Sequence, residues 1–150
     1  MSLRYQTILV ALDASPAAKV VLAAAVDLAR EVGAKLVLFR AVGLPPHLPQ
    51  EAMDEPPGKL PEILEHHAEH DLEELAAQVP KELLARVSVH LGVPWQAIIR
   101  AAQTEKADLI VLGSHGYSGI DRILGTTTEK VVNHTDRSVL VVRDPNAKAR

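Results

Sequence analysis

The residues whose types and spacing could do chemistry lie between Leu109 and Thr128. An apolar run, Leu109–Leu112, breaks at Gly113 and passes through Ser114 and His115 to Gly116. Eight residues, Tyr117–Leu124, separate Gly116 from the pair Gly125-Thr126, and a helical pattern, Glu129–His134, follows. A buried strand that ends in glycine and leads to a helix start is how a parallel sheet builds an anion or nucleotide site. Glycine lets the main chain come close to a ligand. Amides at a helix N-terminus add donors and partial positive charge. Gly113 and Gly116 can open an amide nest, and Gly125-Thr126 can place further donors beside it. The alternative is that the glycines only turn the chain and Thr126, with Glu129 three residues on, caps its helix.

Other chemistry-bearing residues are less specific. Asp13 closes an apolar run; it can accept hydrogen bonds from a ribose or a base, or simply end a strand. His115 lies in the glycine loop, where it can touch a ligand, exchange a proton near neutral pH, or pack. His66, Glu69 and His70 sit in an H-x-x-E-H string that superficially matches a zinc-peptidase pattern. A third distant ligand is not evident, and the neighbouring glutamates read as a solvated acidic face, so no metal site is assigned. Gly113–Thr126 lacks the lysine of a phosphate-binding P-loop. A dinucleotide fingerprint would open the first helix instead. No Ser-His-Asp set can be picked out, and no catalytic residue is assigned.

These residues need a framework, and the chain supplies one. Thr7–Leu12 is β-branched and apolar on both faces, as in a strand covered on both sides. Ser15-Pro16 reads as an N-cap and first helical position for Ala17–Val32, with Gly33 past its end. Leu36–Val42 is a second buried strand. Gly43–Gly58 carries five prolines and reads as a loop. Leu60–Val79 predicts a helix with an apolar stripe of Ile63, Leu64, His67, Leu72, Leu75, Ala76 and Val79. Val87–Leu91, Trp95–Thr104, Asp108–Leu112, Thr126–His134 and Ser138–Val142 continue the alternation, and Asp144–Arg150 is a polar tail. Strict β-α alternation predicts one α/β, doubly wound, five-stranded parallel sheet with helices on both faces. Its ligand site is expected where the winding reverses, with Asp13 and Gly113 in one crevice if their strands are neighbours. Ser138–Val142 is apolar yet last, so it reads as an edge strand open to pairing with a second copy.

The 150 residues suit one domain, and 47% hydrophobic content argues against disorder. Aromatics are 3%, net charge is −3 and basic residues are scattered, which speaks against nucleic acid as a partner. The absence of cysteine excludes disulfides, thiolate nucleophiles and cysteine-held metals. No apolar run is long enough to cross a bilayer, and no signal peptide is recognisable, so a cytoplasmic protein without membrane contact is expected.

Three segments, VALDASPAA, HLGVPWQAI and DLIVLGSHGYSGIDRILGTTTEKVVNHTDRSVLVVR, closely resemble the universal stress protein family. The resemblance spans residues 1–144, with 43–58 a variable loop and 145–150 a tail. It implies a Rossmann-like sheet of order 3-2-1-4-5, a homodimer through Ser138–Val142, and a regulatory role in stress response. One branch of that family binds ATP through G-x-x-G, nine residues, then G-[ST], and another does not bind it. Gly113, Gly116, Gly125 and Thr126 are similar to that motif and would hold ribose and phosphates. Asp13 would face the nucleoside, the backbone of Ala41 would read adenine, and Ala11, Leu112 and Thr127 would complete the site. The implied ligand is ATP (or AMP or ADP), with Mg or Mn on its phosphates, and any hydrolysis, through His115 or Asp13, would be slow. The spacer here is eight residues, not nine. In a helix that shortening would turn Gly125 by about 100° and move it about 1.5 Å, which bears on the grip on the terminal phosphates. The shorter spacer favours the alternative of a dimeric stress-response interaction module without nucleotide.

Overall fold

In a computed structural model, residues 4–43, 59–114 and 124–145 are described. The strands are β1 (Thr7–Ala11), β2 (Lys35–Val42), β3 (Leu84–Leu91), β4 (Leu109–Gly113) and β5 (Ser138–Val142). The helices are α1 (Ala18–Val32), α2 (Lys59–Ala76), α3 (Pro94–Thr104) and α4 (Thr126–His134). The five strands form one sheet in the order β3-β2-β1-β4-β5, every neighbouring pair parallel.

Strand periodicity separates two cores. Ile8, Val10, Leu36, Leu38, Leu109 and Val111 point to one face, where α1 and α2 cover them. Leu9, Val37, Phe39, Ile110 and Leu112 point to the other, under Ile98 and Ala102 of α3 and Val131 of α4. Alternate side chains on opposite faces, all apolar, make the strands continuous hydrophobic runs. The chain therefore winds outward from β1 through β2 to β3, then returns to β4 and β5 under the opposite helix layer. The reversal falls between β1 and β4, which pair directly (Ile8 with Leu109, Val10 with Val111).

α1 buries Ala18, Val21, Leu22, Ala25 and Ala29, the i, i+3, i+4, i+7 pattern of one helical face. Gly33 ends it at φ 73°, its N–H donating to the Ala29 carbonyl, the left-handed stop that glycine takes without a Cβ penalty. Ser15 does not cap this helix: its hydroxyl donates to Asp13 instead, and Ala17 holds the cap position without a side-chain bond. α2 stops at Ala76 rather than Val79, because Pro80 disfavours helical geometry in the residue before it. Its buried line is Ala68, Leu72 and Ala76, while Ile63 and His67, expected in the stripe, are exposed. β3 begins at Leu84, three residues before the expected start. The register shift that pairs Leu36 with Leu84 but Val37 with Arg86 breaks the alternation that marks a strand.

At the sheet end remote from Gly113, Asp108 joins β4 to β1. Its Oδ2 accepts from the amides of Gln6 (2.8 Å) and Thr7 (2.9 Å), and its own amide donates to the Thr7 carbonyl at 2.8 Å. Among the described residues no helix is long and apolar enough to cross a membrane.

Candidate functional site

The C-terminal ends of β1 and β4 open into a cleft of about 370 Å³. Parallel strands bring these ends together at the point where the winding changes direction. Of the residues singled out from the sequence, Ala11, Asp13, Ala41, Leu112, Gly113, Gly125, Thr126 and Thr127 all line it. Gly116 and His115 lie outside the described residues, as do Tyr117 to Ile123 of the eight-residue spacer and the proline-rich residues 44–58.

Asp13 is held by its own turn. Its Oδ1 accepts from the Ser15 amide at 2.9 Å and from the Ser15 hydroxyl at 2.5 Å. Among the described residues nothing donates to Oδ2. The bond pattern is that of an Asx turn, which fixes where the carboxylate points. On the other side, α4 begins with Gly125 as its cap. The Glu129 amide donates to the Gly125 carbonyl at 2.9 Å, so the amides of Thr126, Thr127 and Thr128 precede the first intrahelical bond. The capping box expected from Thr126 and Glu129 does not form, because Gly125 takes the cap position and has no side chain to offer.

Two hydrogen bonds tie this helix start to the end of β4, and a third ties that end to β5. The Gly125 amide donates to the Ser114 carbonyl at 2.7 Å. The Thr128 hydroxyl donates to the Gly113 carbonyl at 2.6 Å. The Ser114 amide donates to the Val142 carbonyl at the end of β5, at 2.9 Å. Ser114 and Thr128 are both nearly inaccessible.

The floor and one wall are apolar, from Ala11, Ala41, Leu112, Val21, Pro94 and Ile98. Sequence reasoning did not assign Val21, Pro94, Ile98 or Thr128 to the site. The first three carry only the signal of helix starts and helix core, and Thr128 reads as one more threonine in a row of three. Among the described lining residues Asp13 is the one ionised side chain, and there is no lysine or arginine. An anion here would meet main-chain amides, the positive end of a helix and threonine hydroxyls. It would have to keep away from Asp13, whose like charge repels it.

The H-x-x-E-H string lies on α2. His66 and His70 are exposed, and His70 Nε2 lies 3.2 Å from Glu74. Among the described residues no three His, Cys, Asp or Glu side chains are grouped so as to hold a metal.

The fold is that of a doubly wound α/β protein with a cleft at the point where its winding reverses. The sequence model of the universal stress protein family matches residues 4–143. The chain belongs to that family. A universal stress protein of Thermus aquaticus is 35% identical over 93% of this chain and 99% of its own. Among solved structures, that of a universal stress protein from Lactobacillus plantarum superposes with a TM-score of 0.76 at 30% identity, covering 95% of this chain and 100% of that one. A second, a universal stress protein in complex with cAMP, gives a TM-score of 0.63 at 26% identity, over 93% and 98% of the two chains.

Proposed function

We propose that this universal stress protein is an adenine-nucleotide-binding regulatory domain whose ligand lies across the cleft between β1 and β4. The observation that carries the reading is the meeting of Asp13, Ala41, Gly113 and Gly125–Thr127 around one partly apolar cavity. The apolar floor suits a base and the polar end suits phosphate, a division typical of small-molecule sites. The Asp13 carboxylate takes a ribose hydroxyl through Oδ2. Main-chain atoms of Ala41 face the adenine. The amides of Thr126 and Thr127 face the phosphates, with Gly113 and Gly116 allowing the close approach. The related structure with cAMP supports an adenine nucleotide as the class of ligand.

ATP is favoured, with AMP and ADP as members of the same class. No lysine or arginine stands among the described lining residues, so Mg or Mn would travel with the nucleotide and offset its phosphate charge. Isothermal calorimetry with ATP and magnesium is expected to show micromolar binding, about −8 kcal/mol. No heat at high micromolar protein would overturn the reading.

The domain acts as a homodimer through β5. That strand is the sheet's edge, Leu140 on it is 39% exposed, and its outer hydrogen-bonding groups face no other described strand. Antiparallel pairing of two β5 strands closes a two-fold dimer. The same edge would serve a dimeric interaction module in which nucleotide plays no part. Nucleotide retained by protein purified without added ligand counts against that second reading.

A further inference from the structure

We infer that Thr128 is a positioning residue for the phosphate end of the cleft, an inference that rests on the nucleotide reading above. α4 is separated in sequence from β4 by the spacer, and its first turn is tied back to the end of β4 by hydrogen bonds. Among the described residues two such bonds are present. The Gly125 amide reaches the Ser114 carbonyl and, one turn later on the same helical face, the Thr128 hydroxyl reaches the Gly113 carbonyl. Positions three apart lie on one side of a helix. Two attachments to consecutive carbonyls, the last of β4 and the one after it, therefore fix both the height and the rotation of the first turn. With one attachment the turn can swivel, and amides on a cylinder of about 2.3 Å radius sweep through distances comparable with a hydrogen bond.

The bond is well placed for this work. Thr128 is 5% exposed, so water does not compete for its hydroxyl. Its acceptor belongs to Gly113, which itself lines the cleft, so one bond locks the two sides of the proposed phosphate cradle together. The Ser114 amide bonded to Val142 anchors the same junction to β5. Val131, one turn further along, is fully buried against the sheet and holds the C-terminal half of the helix independently. Losing the Thr128 hydroxyl should thus loosen the first turn without detaching the helix.

The test is calorimetry of the full chain and two variants with ATP plus magnesium and, separately, with adenosine. Thr128→Val keeps the shape of the side chain and removes the donor. It is expected to weaken ATP about threefold to tenfold, the range for one hydrogen bond, while adenosine affinity stays within about twofold. Thr128→Ser keeps the donor and is expected to retain the wild-type ratio of the two affinities. A structural defect alone would weaken both ligands together and leave their ratio unchanged. Equal loss for ATP and adenosine in Thr128→Val, or no loss for either, overturns the inference while leaving the nucleotide reading in place. Should Thr128→Val fail to fold, Thr128→Ser decides: a fallen ATP-to-adenosine ratio overturns it and an unchanged one supports it. A wild-type chain that binds neither ligand overturns the nucleotide reading itself, and this inference with it.

Discussion

Replacing Asp13 by asparagine separates the two jobs of one carboxylate. Oδ1 is occupied within the chain, by the Ser15 amide at 2.9 Å and the Ser15 hydroxyl at 2.5 Å. Oδ2 has no donor among the described residues, and Asp13 lines the cleft. Asparagine can present its carbonyl to Ser15 and so keep the turn. Its amide then stands where Oδ2 stood, and an acceptor has become a donor. A ribose hydroxyl facing it loses a bond to a charged group, worth about 1.5–3 kcal/mol. In a cleft open to water the lower part of that range applies, so affinity for ATP and for adenosine should each fall about tenfold to thirtyfold. Because the turn survives, the thermal midpoint should stay within about 1 °C, given that each kcal/mol moves a domain of this size by about 2–4 °C. Asp13→Ala, which removes both oxygens, should lose the binding and lower the midpoint as well. Calorimetry with both ligands, beside thermal unfolding of the three proteins, makes the comparison. Wild-type affinity in Asp13→Asn would refute the placement of the nucleoside against Oδ2. A large drop in midpoint with unchanged affinity would make the carboxylate purely structural.

Three further outcomes follow from the geometry. Asp108→Ala removes two charge-assisted acceptances at an exposed strand junction and should cost about 1–2 kcal/mol in urea unfolding, with nucleotide affinity unaltered because the junction is at the far end of the sheet; a change under about 0.5 kcal/mol would show the bonds to be incidental. Lys106 closes α3 at φ 53°, a left-handed conformation costly for a residue with a Cβ, so Lys106→Gly should stabilise by about 0.5–1 kcal/mol on the same assay. Leu140→Lys puts like charges opposite one another if two β5 strands pair, and sedimentation should then show a monomer; an unchanged dimer would move the interface elsewhere.

The framework was legible because its signals are local. Continuous apolar runs such as Ile8–Val10 and Leu36–Phe39 have no solvent face to offer, so they had to lie inside a sheet covered on both sides. The misread boundaries were places where a neighbour overrides the local pattern. Pro80 shortened α2, a bulge opposite Leu36 hid the start of β3, and Asp13 drew the Ser15 hydroxyl away from α1. Of the site, Asp13, Gly113, Gly125 and Thr126 stood out by residue type, whereas Ala41, Ala11 and Thr127 came only with the family resemblance. Val21, Pro94 and Ile98 carried no signal, because an apolar residue in a ligand's wall is indistinguishable in sequence from one in the core.

By itself, then, the sequence determined the element types, their alternation, and the family to which the chain belongs. Periodicity and turn residues act over a few positions and are written in the order of the side chains. What only the tertiary structure decided is which atoms face one another: that Asp108 accepts from the amides of Gln6 and Thr7, that Asp13 and Gly125–Thr127 line one cleft, and that Thr128 reaches back to Gly113. Those contacts join residues far apart along the chain. They exist because the sheet reverses its winding and brings two strand ends together, which no local run of residues can specify.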